Sequence, residues 1–216
     1  MREFPCQAIL FDLDGVLVDS TPCVTRIWNA WAQEHGLDAR YVAQVAHGRP
    51  TIATVREVAP HLDAESETDC IEQREINDSD SLQVLPGARK LLAALPPERY
   101  TIVTSGTRQL ATKRLQADGL PVPATMITAD DVSNGKPDPE PYLLAARALG
   151  CDPGRCLVFE DAPSGIRAAK SAGMTVIGVS TSAGPEELAE ADAIAESLEA
   201  VAVTIAEAGL IVALAE

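Results

Sequence analysis

The chain has 216 residues, 46% hydrophobic and 23% charged, the profile of a globular chain with length for one or two domains and a substantial core. Lys and Arg total 17 against 32 Asp and Glu, a net charge of −15, which argues against the basic surfaces that nucleic acid or an anionic membrane would require. Five cysteines at irregular spacing, with no CxxC pair, indicate neither a zinc site nor a disulfide framework and fit free thiols in a reducing cytoplasm.

The opening MREFPCQAILFDLDG runs into a short apolar strand, QAILF (7–11), with no signal-peptide pattern. From about 18 to 84 the pattern turns helical. In CVTRIWNAWAQEHG, Val24, Ile27, Trp28 and Trp31 fall at i, i+3, i+4 and i+7 and make one apolar stripe. TIATVREVAPHL and ESETDCIEQREIND read as further helices. After LPG (85–87) strands and helices alternate: ARKLLAAL (88–95) helical, YTIVT (100–104) extended, TRQLATKRLQAD (107–118) helical, ATMIT (124–128) extended. PEPYLLAARALG (139–150) is then helical, RCLVFE (155–160) extended, SGIRAAKSAG (164–173) helical and MTVIGV (174–179) extended.

That alternation predicts an α/β fold, a parallel sheet with helices on both faces. The gap of roughly 90 residues between the first two strands far exceeds one crossover. The expectation is therefore an inserted all-helical domain over 18–84, with 1–17 and 85–216 forming the α/β domain. The C-terminal stretch LEAVAVTIAEAGLIVALAE, interrupted by Glu199, Glu207 and Gly209, reads as a packed helix rather than a membrane span.

Four motifs follow buried strands. Asp12 and Asp14 of FDLDG stand at the end of the first one, where open α/β sheets bind ligands; the spacing to Gly15 and Asp19 does not suit an EF-hand. VTSGTR (103–108) ends a strand in small hydroxyl residues and glycine before a helix, a pattern for an anion site or a plain helix cap. In NGKPDPEPY (134–142), Pro137 and Pro139 hold Lys136 on a stiff loop. In VFEDAPSGIRAA (158–169), Glu160 and Asp161 end another strand, either solvated or facing a hard cation. Strand ends of a parallel sheet meet on one edge, so the four motifs converge.

The set FDLDG, TSG, GKPDPEPY and FEDAPSG resembles the four motifs of the haloacid-dehalogenase-like phosphatase superfamily, over essentially the whole chain, with a helical cap inserted after the first motif. The resemblance implies a Rossmann-like parallel sheet of order 3-2-1-4-5. STPCVTRIW, HGRPTIATVREVAP, VTSGTR, ITADDV and GKPDPEPYL further resemble the glycerol-phosphate and 2-deoxyglucose-6-phosphate phosphatases of that superfamily.

By this resemblance Asp12 is the nucleophile that forms an aspartyl-phosphate, and Asp14 the general acid and base. Ser105, the N–H of Gly106 and Lys136 hold the phosphate. Mg²⁺ is held by Asp12, the backbone carbonyl of Asp14 and Asp161, with Glu160 ordering its water shell. His47 and Arg49 of the HGR turn are the candidates for reading the leaving group. The implied substrate is a small sugar or polyol phosphate monoester, with no nucleic-acid or membrane partner. Oligomeric state stays open, a monomer being compatible.

Rival readings carry discriminators. A 2-haloacid dehalogenase needs no metal and lacks the second acid, which Asp14 supplies here. A phosphonatase uses a cap lysine, and 18–84 contain none. A β-phosphoglucomutase-type enzyme carries an early cap histidine where Val24 stands. A catalytically inactive binding protein on the same fold is the remaining alternative.

Overall fold

The computed structural model describes residues 1–46, 49–78, 82–117 and 119–215. The chain opens with β1 (Arg2–Cys6), turns at Gln7 and enters β2 (Ala8–Phe11), whose four residues are all buried. Strand β2 sits at the centre of a six-stranded parallel sheet. Its neighbours are β5 (Tyr100–Val103) and then β6 (Met126–Ile127) on one side. On the other side lie β7 (Cys156–Glu160), β8 (Thr175–Val179) and β9 (Ala193–Ala195). The expected order 3-2-1-4-5 is therefore present, with β9 added at the edge.

Alternation along β2 divides the core in two. Ile9 and Phe11 face one apolar cluster with Ile102, Leu157, Phe159 and Ile177. Ala8 and Leu10 face the other with Val103, Val158 and Val176. Helices α7 (Glu140–Ala148) and α8 (Pro163–Ser171) cover the second face through Tyr142, Ala145 and Ile166. Helices α5 (Ala88–Ala94) and α6 (Arg108–Ala117) bring Leu91, Leu92 and Leu115 to the first. The rings of Phe11 and Phe159 stack at 5.4 Å across the β2–β7 pair, which locks the register of the two acid-bearing strands.

Between β3 (Val18–Asp19) and β4 (Gln83–Val84) the chain forms α1 (Thr21–Glu34), α2 (Ala39–Ala46), α3 (Thr51–Val58) and α4 (Ala64–Asn77). β3 and β4 pair antiparallel, so the chain leaves the sheet and returns to it through one two-stranded ribbon. The stripe read from the sequence is buried as expected at Ile27, Trp28 and Trp31. Trp31 also donates from Nε1 to Glu67 Oε2 at 2.7 Å, tying α1 to α4. Helix α2 was not separated from its neighbours in the sequence reading.

The C-terminal stretch is not the expected helix. It forms a hairpin of β10 (Val201–Ala206) and β11 (Gly209–Leu214), and β11 also pairs antiparallel with β1. The physical reason is a period of two: Leu210, Val212 and Leu214 are buried while Ile211 and Ala213 between them are only half-buried. The β-branched residues of VAVTIA add to that preference. Gly209, at φ 146°, lies where a Cβ would come within 2.3 Å of the Cys6 carbonyl oxygen, so the glycine that looked like a helix flaw is required by the strand pairing. No helix among the described residues is long and apolar enough to cross a membrane.

Candidate active site

Because β5, β2 and β7 run parallel, the residues that follow them emerge on one edge of the sheet. Asp12 follows β2, Thr104-Ser105-Gly106 follow β5, and Glu160-Asp161 close β7. Lys136 arrives from the loop before α7 and is 5% exposed. Its Nζ donates to Asp12 Oδ1 at 2.9 Å, Glu160 Oε1 at 2.6 Å and the Val103 carbonyl at 3.0 Å. One ammonium thus joins all three central strands. Burial alone lowers such a group's pKa, but Asp12 and Glu160 outweigh it and hold Lys136 above its ordinary value.

Glu160 is fully buried. Its Oε1 accepts from Lys136 and from the Tyr142 hydroxyl at 2.7 Å, and its Oε2 accepts from the backbone N–H of Asp161 and Ala162. With four donors it is saturated. Close packing explains the glycine of the FEDAPSG motif: a Cβ on Gly165 would fall 1.7 Å from Glu160 Oε1.

Asp12, Glu160 and Asp161 offer carboxylate oxygens within 4.8 Å of one another, all buried, against the single Lys136. Burial first, and then mutual repulsion, raise the pKa of Asp161 well above its ordinary value. Asp12 is raised in the same way, with Lys136 pulling it partly back. Such a cluster is costly unless a cation joins it, and its hard oxygen donors suit a small divalent ion. Asp161 also accepts a hydrogen bond from Ser182, in the loop after β8. Gly15, at φ 77°, leaves room for both: a Cβ there would meet Asp161 Oδ2 at 1.8 Å and Ser182 Oγ at 2.7 Å.

Asp14 pairs with Arg114 instead of Lys136. Its Oδ2 accepts from Arg114 Nη1 at 2.6 Å, while Oδ1 is buried with no hydrogen-bond partner among the described residues. Arg114 Nη2 donates to Glu75 Oε2 at 2.6 Å, so one buried guanidinium bridges α4 and the loop after β2. Burial pushes Glu75 up to about 7, against the pull of Arg114. Ser105 and Gly106 both line the same cavity, and the Gly106 N–H donates to Thr104 Oγ1 at 3.1 Å. Arg49 lines the cavity and pairs with Glu57 Oε2 at 2.7 Å. His47 lies outside the described residues.

Asp12, Asp14, Ser105, Lys136, Glu160, Asp161 and Arg49 thus share one cavity of about 170 Å³. Four further residues belong to it or support it and were not singled out from sequence: Ser182, Tyr142, Glu75 and Arg114. Arg114 had a readable signal, since it falls on the buried face of α6 with Leu110, Ala111 and Leu115, a position that an unpaired charge does not occupy. Glu75 likewise follows Ile71 by four residues on the buried side of α4.

Residues 6–173 match the model of the family described as haloacid dehalogenase-like hydrolase. The chain belongs to that family. It is similar to hexitol phosphatase A of Escherichia coli, with 40% identity over 92% of this chain and 94% of that protein. It is also similar to glycerol-1-phosphate phosphohydrolase 2 of Saccharomyces cerevisiae, with 38% identity over 81% of this chain and 75% of the other. Among solved structures, β-phosphoglucomutase from Clostridium difficile superposes with a TM-score of 0.79, at 23% identity over 89% and 92% of the two chains. That last likeness concerns the fold alone. The two relatives at 40% and 38% identity are phosphatases by name.

Proposed function

We propose that this hydrolase is a Mg²⁺-dependent phosphatase of a small sugar or polyol phosphate monoester, working through an aspartyl-phosphate on Asp12. The observation that carries the reading is the division of labour between the two aspartates. Asp12 sits in the charged cluster bonded to Lys136, and Asp14 has one carboxylate oxygen tied to Arg114 and the other without a partner among the described residues.

An Asp12 oxygen attacks phosphorus, and the bond to the ester oxygen breaks. That oxygen takes a proton from Asp14 at Oδ1. Asp14, now ionised, accepts a proton from the water that attacks phosphorus and releases Asp12. Lys136 and the Ser105 hydroxyl hold the non-bridging oxygens as charge moves onto them. The Asp12 and Asp161 carboxylates and the Asp14 carbonyl would hold Mg²⁺, which would supply the positive charge that lets a carboxylate approach a dianion. Glu160, saturated by its four donors, orients Lys136 from behind rather than meeting the substrate.

Residues 18–84 serve as a cap over this edge, joined to the α/β domain of 1–17 and 85–216 through the β3–β4 ribbon. Hydrolysis is favoured over internal phosphoryl transfer because Val24, at the position of the mutase histidine, lines the cavity and has no proton to offer. Five free cysteines suit a cytoplasmic enzyme. Hydrolysis of p-nitrophenyl phosphate that requires Mg²⁺ and disappears in Asp12→Asn tests the proposal. The absence of turnover on any of a panel of sugar, polyol and aryl phosphates overturns it.

A further inference from the structure

The chemistry proposed above uses Asp14 but leaves Glu75 without a role. Glu75 belongs to α4, is 5% exposed, lines the same cavity, and reaches Asp14 through a single guanidinium. Its Oε2 accepts from Arg114, and its other oxygen has no hydrogen bond among the described residues. Arg114 in turn uses two N–H groups on the two carboxylates, and a guanidinium carries five. An acceptor and several donors therefore stand side by side at the wall of the cavity next to the proton donor. Docking α4 on α6 does not by itself call for a buried acid–base pair, because a well-packed apolar pair of similar volume docks two helices at no greater cost.

We propose that Glu75 and Arg114 form the subsite that reads hydroxyl groups on the leaving alcohol, an inference that rests on the phosphatase reading above. The ester oxygen receives its proton from Asp14. In an ester of a vicinal diol the next hydroxyl stands one carbon further from phosphorus, and Asp14 is bonded to the guanidinium, which is bonded in turn to Glu75 at the wall of the same cavity. A hydroxyl there donates to Glu75 and accepts from Arg114, which meets both halves of its hydrogen-bonding capacity. Val24 and Trp28, on the α1 side of the cavity, offer apolar surface to the carbon chain.

Charge narrows the class further. Each cation among the described cavity residues is already met by carboxylate: Lys136 by Asp12 and Glu160, Arg114 by Asp14 and Glu75, Arg49 by Glu57. One cation shared by two acids leaves no net positive charge at the subsite. The leaving group it suits is neutral and hydroxylated, not one that carries a second phosphate or a carboxylate.

The test compares kcat/KM for glycerol 1-phosphate and n-propyl phosphate, which share a three-carbon chain and differ in two hydroxyls. The wild type prefers the glycerol ester by at least about tenfold. In Glu75→Leu the glycerol ester loses about ten- to hundredfold relative to the propyl ester, so the preference collapses; Glu75→Gln, which keeps an acceptor oxygen, lies between. If the leucine variant fails to fold, as read by thermal melting, the glutamine variant carries the comparison. An equal loss on both esters shows a merely structural role and overturns the subsite, as does a wild type without the preference. A wild type inactive on every phosphate ester removes the phosphatase reading itself, which an unchanged ratio in an active variant does not.

Discussion

Replacing Gly165 with alanine tests whether Glu160 acts only by holding Lys136 in place. Gly165 lies in the first turn of α8 with no unusual backbone angle, so alanine there carries no conformational penalty and raises helix propensity. The added methyl would fall 1.7 Å from Glu160 Oε1, 2.0 Å from its carboxyl carbon and 2.4 Å from Oε2. Both oxygens must move, and together they accept from Lys136, Tyr142 and two backbone N–H groups. Overpacking in a dense core costs about 1–3 kcal/mol. Each charge-assisted hydrogen bond lost adds about 1.5–3 kcal/mol, so a total of about 3–5 kcal/mol is expected. Urea unfolding checks this against Gly36→Ala, a position at φ 67° with nothing within 4 Å of the added carbon, where only backbone strain of about 1 kcal/mol is at stake. In the folded fraction kcat should fall by about a hundredfold, because a displaced Glu160 leaves Lys136 free to shift toward Asp12. An alanine variant no less stable than Gly36→Ala and fully active would refute the positioning role.

Three further outcomes are expected. A Cβ on Gly135 would meet Pro50 Cγ at 2.7 Å, so Gly135→Ala pushes the loop before α3 off the loop of Lys136 and raises KM severalfold with little change in melting temperature; an unchanged KM contradicts it. Glu75, pushed up to about 7 by burial, holds its proton more tightly folded than unfolded, so its destabilising charge is absent below about pH 4.5 and complete above pH 7. Glu75→Gln should therefore gain on the wild type by up to about 3 kcal/mol between pH 5 and pH 8, read by urea unfolding at both; a gain in the opposite direction would mean that Arg114 outweighs burial. Removing divalent metal with a chelator should abolish both turnover and the binding of inorganic phosphate, the latter followed by calorimetry, and binding that survives would contradict a metal-neutralised site.

What the sequence disclosed follows a physical pattern. The interiors of strands such as 8–11 and 156–159 are short apolar runs, and helical stretches such as 139–150 and 164–173 end in glycine, so local composition and tertiary burial agree. The motif residues at strand ends were legible because a parallel sheet brings those ends together wherever the strands pair. The C-terminal hairpin was misread because its interrupting glutamate and glycine resemble a flawed helix, and only pairing with β1 shows why Gly209 stands there. Ser182 gave no motif, since a serine in a loop after a strand is common and its value comes from Asp161 and Gly15 approaching it. Arg114 and Glu75 were overlooked for a different reason. Each falls on the buried face of its own helix, which marks it as a charge in need of a partner, but which partner it finds is set only when α4 lies against α6.

The same pairing explains how a chain of net charge −15 can act on an anion. With all three buried carboxylates ionised, the one ammonium leaves the strand-end cluster at −2, a charge that repels a phosphate dianion and is itself costly without a cation. A bound divalent cation brings that sum to zero, after which placed donors such as Ser105 and Lys136 decide affinity through geometry. Arg114 and Arg49, which also line the cavity, are each paired with acids, so that part of the lining offers hydrogen bonds without net attraction for charge. On the function and subsite proposed above, attraction for the phosphoryl group is confined to the cation site at the strand ends, and the rest of the cavity judges a neutral leaving group by its hydroxyls. The acidity of the chain is consistent with this division, because it discourages a second negative charge on the substrate from entering at all.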